Sequence, residues 1–343
     1  MKFRTTLIRR LTLLIIPCAA LLVYFMATAR PVHATFPGTN GQIAFTQGDL
    51  FNNIPAYVFT DKSDGSDPHQ LSLPVDVEFF SLPRWSPDGT QLLISHTFRL
   101  DSTGQCCLPF RPATVGPDGA NFNLLEIPDG PSDMNCLTWL TQTRILCTFG
   151  FGGVQFGVFS IRASDGGDAV RLTTNPYGAE DFATDVSPDG KRFVFIRFKP
   201  GAQPPPNPDK TRQAALFVES TDGTGLRQIT PFGLIHAHDL AGARWSPDGR
   251  EIASATTQGH LFVVRPDTAG VSMIKLQTGT TRYFAFQPAW SPDGTRIIFG
   301  MFINGGEGIF TANPDGSDVQ QVEFTTDFSN LFNGPDWGTH QAQ

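Results

Sequence analysis

The five tryptophans of the chain fall at one recurring position, Trp85, Trp139, Trp245, Trp290 and Trp337, with Val186 in the place a sixth would take. Three copies read Trp-Ser-Pro-Asp-Gly (85–89, 245–249 and 290–294), and a fourth reads Val-Ser-Pro-Asp-Gly (186–190). Two are degenerate, Trp139-Leu140-Thr141-Gln142 and Pro335-Asp336-Trp337-Gly338. Successive slots lie 54, 47, 59, 45 and 47 residues apart, a period of roughly 50 that suits propeller blades. Six slots predict six repeating units.

A second signal keeps the same count. About 30 residues after each of the first five slots comes a turn, at Asp118-Gly119, Asp165-Gly166, Asp222-Gly223, Asp267-Thr268 and Asp315-Gly316, and Asp64-Gly65 precedes the first Trp. Asp-Gly between apolar runs is a strong hairpin signal, and a two-residue hairpin of this kind predicts positive φ at both central residues. After Ser-Pro-Asp-Gly comes an apolar, β-branched strand such as Phe193-Val194-Phe195-Ile196 or Ile297-Ile298-Phe299. A third strand runs into the Asp-Gly turn (Leu261-Phe262-Val263-Val264) and a fourth leaves it (Val319-Gln320-Gln321-Val322). Four short antiparallel strands per unit, with no helical period, make a blade. The Ser-Pro-Asp-Gly turn has its own mechanics: Pro presets φ, Asp bonds nearby backbone, and Gly takes the left-handed position.

The two ends of the repeat region complete each other. Gly41-Gln42-Ile43-Ala44-Phe45 looks like the strand that elsewhere follows Ser-Pro-Asp-Gly, yet no Trp precedes it, and no strand follows Trp337. Joining residues 331–338 to 41–73 makes one complete blade and leaves no open edge. The expectation is an all-β, six-bladed propeller of four-stranded blades, closed by pairing the amino-terminal strands with the carboxy-terminal strand.

Trp-Ser-Pro-Asp-Gly-x-x-(Ile/Leu/Val)-x-Phe, repeated and followed by an Asp-Gly turn, resembles the WD-like blade repeat of the TolB family of six-bladed propellers over about residues 36–340. The resemblance implies fold more than function, because similar blades also form the non-catalytic propellers of prolyl-oligopeptidase-type peptidases and the body of some polysaccharide lyases. Only a few residues separate the amino-terminal apolar segment from the first strand, so the additional amino-terminal α/β domain of TolB is expected to be lacking.

Composition suits one large propeller domain spanning 35–343. Thirty Phe against four Tyr supply apolar filling without hydroxyls to satisfy. The longest irregular stretch, Lys199 to Asp209, with Pro204-Pro205-Pro206 within it, reads as an exposed polyproline-type insertion. Residues 1–34 read as a signal peptide or amino-terminal anchor. Lys2, Arg4, Arg9 and Arg10 precede an apolar run from Leu11 to Ala29, with small-residue cleavage candidates at Ala27-Thr28-Ala29 and Val32-His33-Ala34. Either outcome places the propeller outside the cytoplasm, periplasmic, cell-surface or secreted, and any membrane contact in that segment.

Residues 1–34 hold five of the 25 Lys and Arg and none of the 32 Asp and Glu, so 35–343 carries 20 against 32, a net charge of −12. No Lys/Arg cluster remains, which argues against a nucleic-acid partner. Four cysteines remain, Cys106, Cys107, Cys136 and Cys147, and an oxidising compartment predicts two disulfides. A bond between the adjacent Cys106 and Cys107 strains the backbone, so the expected pairings run from these two to Cys136 and Cys147 in either order.

No Gly-x-Ser-x-Gly elbow and no phosphate-cradling loop occurs. In TolB-like propellers the residues before each Trp slot start the innermost strand and face the channel. Carried over position by position, that resemblance implies an acidic channel mouth of Glu78, Asp133, Glu180, Asp181, Asp239 and Asp327, joined by His236, His238, Arg282 and Tyr283. His236, His238 and Asp239 are also the metal-ligand candidates, since alternate residues of a strand face the same way.

Two functions from different classes compete. One is a monomeric, non-enzymatic scaffold without cofactor that binds a protein or peptide at the channel face. The other is a carbohydrate-active lyase or hydrolase with a divalent metal at the channel mouth.

Overall fold

The computed structural model describes residues 37–49, 54–74, 79–97, 111–126, 134–150, 156–199, 213–235, 242–280, 282–327 and 331–339. The chain separates into units Met1–Val32 and His33–Gln343; the first, with the signal or anchor segment, lies outside the described residues, as do Cys106, Cys107 and residues 200–212 of the Pro-rich insertion. Among the described residues no helix is long and apolar enough to cross a membrane.

Blade 1 begins with β1 (Asn40–Asp49), β2 (Ile54–Asp61) and β3 (His69–Gln70). Blade 2 holds β4 (Phe79–Trp85), β5 (Leu92–Thr97), β6 (Arg111–Val115) and β7 (Asn123–Leu124). Blade 3 follows with β8 (Asn135–Thr141), β9 (Arg144–Phe149), β10 (Gly157–Arg162) and β11 (Val170–Arg171). In blade 4 come β12 (Asp181–Val186), β13 (Arg192–Phe198), β14 (Ala214–Ser220) and β15 (Arg227–Gln228). Blade 5 has β16 (Ala243–Trp245), β17 (Ile252–Ala255), β18 (Leu261–Arg265) and β19 (Gly270–Met273). Blade 6 has β20 (Tyr283–Trp290), β21 (Ile297–Ile303), β22 (Gly306–Ala312) and β23 (Gln320–Thr325), after which β24 (Phe332–Thr339) returns to blade 1.

Each blade is an antiparallel meander, and every slot residue ends or nearly ends the first, innermost strand. Inner strands touch in sequence, β4 with β8, β8 with β12, β12 with β16, β16 with β20, β20 with β24 and β24 with β4, so they form a closed ring. Closure is by the expected pairing. β24 lies antiparallel to β1, with Ile43 opposite Trp337 and Gln47 opposite Phe332, and completes blade 1 as its inner strand. Gly38 N–H donates to the Pro292 carbonyl at 3.1 Å, and Asn40 bonds Asp293 at 3.0 Å, which fastens the start of β1 to blade 6 as well.

The core follows from this arrangement. Six apolar clusters form, each at the junction of two consecutive blades and each containing one slot residue: Trp85, Trp139, Val186, Trp245, Trp290 or Trp337. Trp245, for example, packs with Val194, Ile196 and Leu216 of blade 4 and Ile252 of its own blade. At Val186 the missing indole is replaced by Phe193, Phe195 and Phe217, with adjacent ring centroids 5.5 and 5.8 Å apart. Trp85→Ala is therefore expected to cost about 3–5 kcal/mol as a large-to-small core change, and Val186→Ala clearly less. Denaturant unfolding checks this; equal losses would show that the two slots are not equivalent.

The Ser-Pro-Asp-Gly turns behave as expected. At 86–91 the Asp88 carboxylate accepts the Ser86 hydroxyl at 2.8 Å and the Thr90 N–H at 3.0 Å, and Gly89 has φ +68°. The same bonds recur at Asp189, Asp248 and Asp293. The Asp-Gly turns differ from expectation. Gly65, Gly119, Gly166, Gly223 and Gly316 have positive φ, and none of the aspartates before them does. At Gly65, Gly119, Gly223 and Gly316 the glycine N–H closes on the carbonyl three residues back, as from Gly65 to Lys62 at 3.0 Å, whereas Gly166 reaches the Arg162 carbonyl four residues back; in each the aspartate carboxylate takes the N–H two residues on, as from Ser66 at 3.1 Å. The first four are type I turns with a left-handed glycine, and in all five Asp stays out of the left-handed region. Gly65 is held there for a second reason: a Cβ would stand 2.5 Å from the Val322 carbonyl oxygen of the preceding blade.

The disulfide also differs from expectation. Cys136 of β8 and Cys147 of β9 are bonded to each other, because they are directly opposed in the strand register with Cα atoms 3.9 Å apart. A cross-strand pair inside one blade needs no partner from the 106–107 segment.

Candidate functional site

Side chains alternate along a strand, so the residue before each slot points away from the blade junction and toward the ring axis. Those six residues are Arg84, Thr138, Asp185, Arg244, Ala289 and Asp336, and together they line one cavity with Trp85, Trp290 and Trp337. Bulges help to aim them: the inner-strand registers shift between Ser81 and Arg84, Cys136 and Thr138, Ala183 and Asp185, and Phe286 and Ala289. In three neighbouring blades the bulge carries a left-handed residue before a proline, at Leu82, Gln287 and Gly334, with φ of +54°, +48° and +59°.

The axial residues form a bonded hub. Arg244 of blade 5 bonds Asp336 of blade 1 and stands 3.7 Å from Asp185 of blade 4. Asp336 accepts the backbone N–H of Trp85 at 2.8 Å, and Asp185 accepts that of Trp245 at 2.7 Å. Thr138 donates its hydroxyl to Asp185 at 3.1 Å, and the Trp139 indole N–H donates to the Arg84 carbonyl at 3.1 Å. Arg84 in turn donates to the Gly334 carbonyl at 3.2 Å. Five of the six blades are thus linked through these axial groups, while blade 6 brings Ala289 and Trp290 to the cavity and accepts the Gly334 N–H on the Gln287 amide oxygen at 2.6 Å. Arg84, Asp185, Arg244 and Asp336 are all buried. Burial pushes the Asp185 carboxyl above its ordinary value; Arg244 and the N–H groups of Trp245 and Val186 pull the other way, and Asp336 adds to the rise.

The candidates named from the sequence lie farther toward the starts of the inner strands. Glu180, half-exposed, immediately precedes β12, and its carbonyl accepts the Phe198 N–H at 2.9 Å. Asp181 is fully buried, and its two oxygens accept Arg197 at 2.6 and 2.7 Å. Tyr283 is half-buried at the start of β20 with its ring edge-on to His260 at 5.9 Å; Arg282 beside it is exposed. Asp327 is exposed after β23. Glu78, Asp133, His236, His238 and Asp239 lie outside the described residues. Among the described residues no group of three or more His, Cys, Asp and Glu side chains is placed to hold a metal ion.

The hub was absent from the sequence reading. Its signal was present in the position directly before each slot, where Arg, Asp, Arg and Asp occur at 84, 185, 244 and 336, and in the X-Pro pairs two residues earlier.

No family model matches the chain. An uncharacterized protein of Agrobacterium fabrum is 25% identical over 268 residues, covering 65% of this chain and 84% of that protein. Among solved structures, TolB from Acinetobacter baumannii superposes with a TM-score of 0.62 at 14% identity, over 93% of this chain and 70% of that one. A TolB candidate from Agrobacterium tumefaciens gives 0.53 at 15% identity, over 87% and 99%. With six four-stranded blades, ring closure through β24 and these likenesses together, the chain has the six-bladed propeller fold of TolB.

Proposed function

We propose that the protein is an exported, non-enzymatic scaffold that holds a basic protein or peptide segment at the channel face opposite the Ser-Pro-Asp-Gly turns. The observation that carries this reading is the hub. The charged side chains brought to the ring axis are engaged with the fold itself, since Asp185 and Asp336 hold backbone N–H groups of the next blade as well as Arg244. A carboxylate bonded in this way is a brace rather than a proton donor or metal ligand for a substrate. A ring closed at one end supports a binding platform at the other, toward which the starts of the inner strands lie, Glu180 immediately before β12 among them. The net charge of −12 for residues 35–343 favours a cationic partner.

Anisotropy of a labelled lysine- and arginine-rich peptide tests the reading, with an acidic peptide as control. Binding to the basic peptide should weaken with added salt. The combined change Asp133→Asn, Glu180→Gln and Asp239→Asn should weaken it at least about tenfold with little change in melting temperature. Equal binding of both peptides would overturn the proposal. So would stoichiometric tightly held metal that His238→Ala removes together with turnover on a polysaccharide; that pair of results establishes the metal-dependent enzyme instead.

A further inference from the structure

Three Asn-Gly pairs occur in the chain, at 40–41, 304–305 and 333–334. The pair is chemically distinct, because a glycine nitrogen has no side chain beside it to hinder its approach to the preceding carboxamide. The fold treats the three differently. Asn40, in β1, is held at both ends of its amide: the nitrogen donates to Asp293 at 3.0 Å, and the oxygen accepts the Asp293 N–H at 3.2 Å. Asn333 lies in β24, where the N–H of Gly334 is committed to the Gln287 amide oxygen at 2.6 Å. Gly334 is also packed so closely that a Cβ would stand 2.5 Å from the Leu82 side chain. Asn304 and Gly305 instead form the two-residue turn between β21 and β22. Ile303 and Gly306 pair across it, and φ is +53° and +79° at its central residues, as a type I′ turn requires. Both residues are exposed. Among the described residues neither the Asn304 amide nor the Gly305 N–H has a hydrogen-bond partner, and a Cβ on Gly305 would meet nothing within 4 Å. Ile303 lies opposite Tyr283, so the turn stands at the channel-face end of blade 6.

We infer that Asn304 is a site of spontaneous covalent modification, in which the Gly305 nitrogen attacks the side-chain carbonyl carbon and closes a succinimide. As the new C–N bond forms, the Gly305 nitrogen gives up its proton and the side-chain nitrogen leaves as ammonia. Water then adds to one of the two imide carbonyls and breaks its C–N bond, which yields aspartate or isoaspartate at position 304. One water is consumed, one ammonia is released, and nothing is oxidised or reduced. The product carries an added negative charge at the channel-face end of the ring. Isoaspartate also lengthens the main chain by one carbon, in a turn that sets the register of β21 against β22. The inference is independent of what the channel face binds.

Mass-spectrometric peptide mapping of the full chain, aged in mildly alkaline buffer with and without denaturant, provides the test. Replacing the amide by a carboxylate adds about 1 Da to the peptide concerned. In the folded protein the peptide holding Asn304 should convert at least about tenfold faster than those holding Asn40 and Asn333, whose contacts must open before they react. In denaturant the three should convert at similar rates, since all share the same dipeptide. Isoaspartate-specific methylation should label the aged wild type and leave Asn304→Gln unlabelled, because the extra methylene disfavours ring closure. An Asn304 peptide that stays unmodified in the folded protein, over the time in which the denatured chain converts, overturns the site. Earlier conversion of Asn40 or Asn333 in the folded protein overturns it too. The same order of rates in denaturant as in the folded chain would show that the fold does not select the position.

Discussion

Removing residues 331–343 should abolish cooperative folding rather than shorten a tail. The deletion takes away β24 and with it the inner strand of blade 1, exposing β1 as an unpaired edge. It empties the junction of blades 6 and 1 of Phe332 and Trp337, which pack there with Ile43, Phe45 and Ile298; loss of either large side chain alone costs about 3–5 kcal/mol. It also removes Asp336, leaving Arg244 without its bonded carboxylate and the Trp85 N–H without its acceptor. These losses together approach or exceed the roughly 5–15 kcal/mol that holds a typical domain folded. Circular dichroism and gel filtration should show an aggregated or non-cooperative species. A complementary variant separates closure from simple loss of mass: joining Thr339 to Asn40, which are paired in register, through a Ser-Pro-Asp-Gly turn and opening the chain near Gly279 should fold. A truncated protein with unchanged melting temperature would remove the basis for the closed ring.

Arg244→Met should be the most damaging single substitution at the ring axis. It leaves Asp185 and Asp336 buried and facing one another without their cation, and breaking a buried ion pair from one side costs about 3–5 kcal/mol. A drop in melting temperature of roughly 10 °C is the expected scale for a chain of this size. Without Arg244 the influences that raise Asp185, burial and the charge of Asp336, go unopposed by the guanidinium. A carboxyl whose folded value is raised contributes stability below that value and loses it as pH rises. The penalty should accordingly be larger at about pH 8 than at about pH 5. Adding Asp336→Asn should restore part of the loss, because the remaining pair is then no longer two like charges. A loss under about 1 kcal/mol, flat with pH, would show that the hub does not brace the blades.

Much of this architecture was legible in the chain because it is written in local chemistry repeated at a fixed period. The Ser-Pro-Asp-Gly turn carries its own Asp and Ser bonds, and the strand after it alternates or buries according to its own residues. Counting the Trp slots yields the blade count, and the unmatched strand at Gly41 with the unmatched slot at Trp337 yields the closure. The disulfide was not legible, since its partner is chosen by the cross-strand register that opposes Cys136 to Cys147. Nor was the filling of the Val186 slot, where Phe193, Phe195 and Phe217 pack in one cluster with the smaller side chain.

The channel residues mark the boundary most clearly. The sequence by itself determined six four-stranded blades, the Ser-Pro-Asp-Gly turns and the acidic balance of charge. Only the tertiary structure decided that Arg84, Thr138, Asp185, Arg244 and Asp336, one from each of five blades, meet on one axis, and that Asp181 is bonded to Arg197. The reason is one of range: strand and turn preferences are set by neighbours a few residues apart, whereas these contacts join residues that come within reach only after the ring has closed.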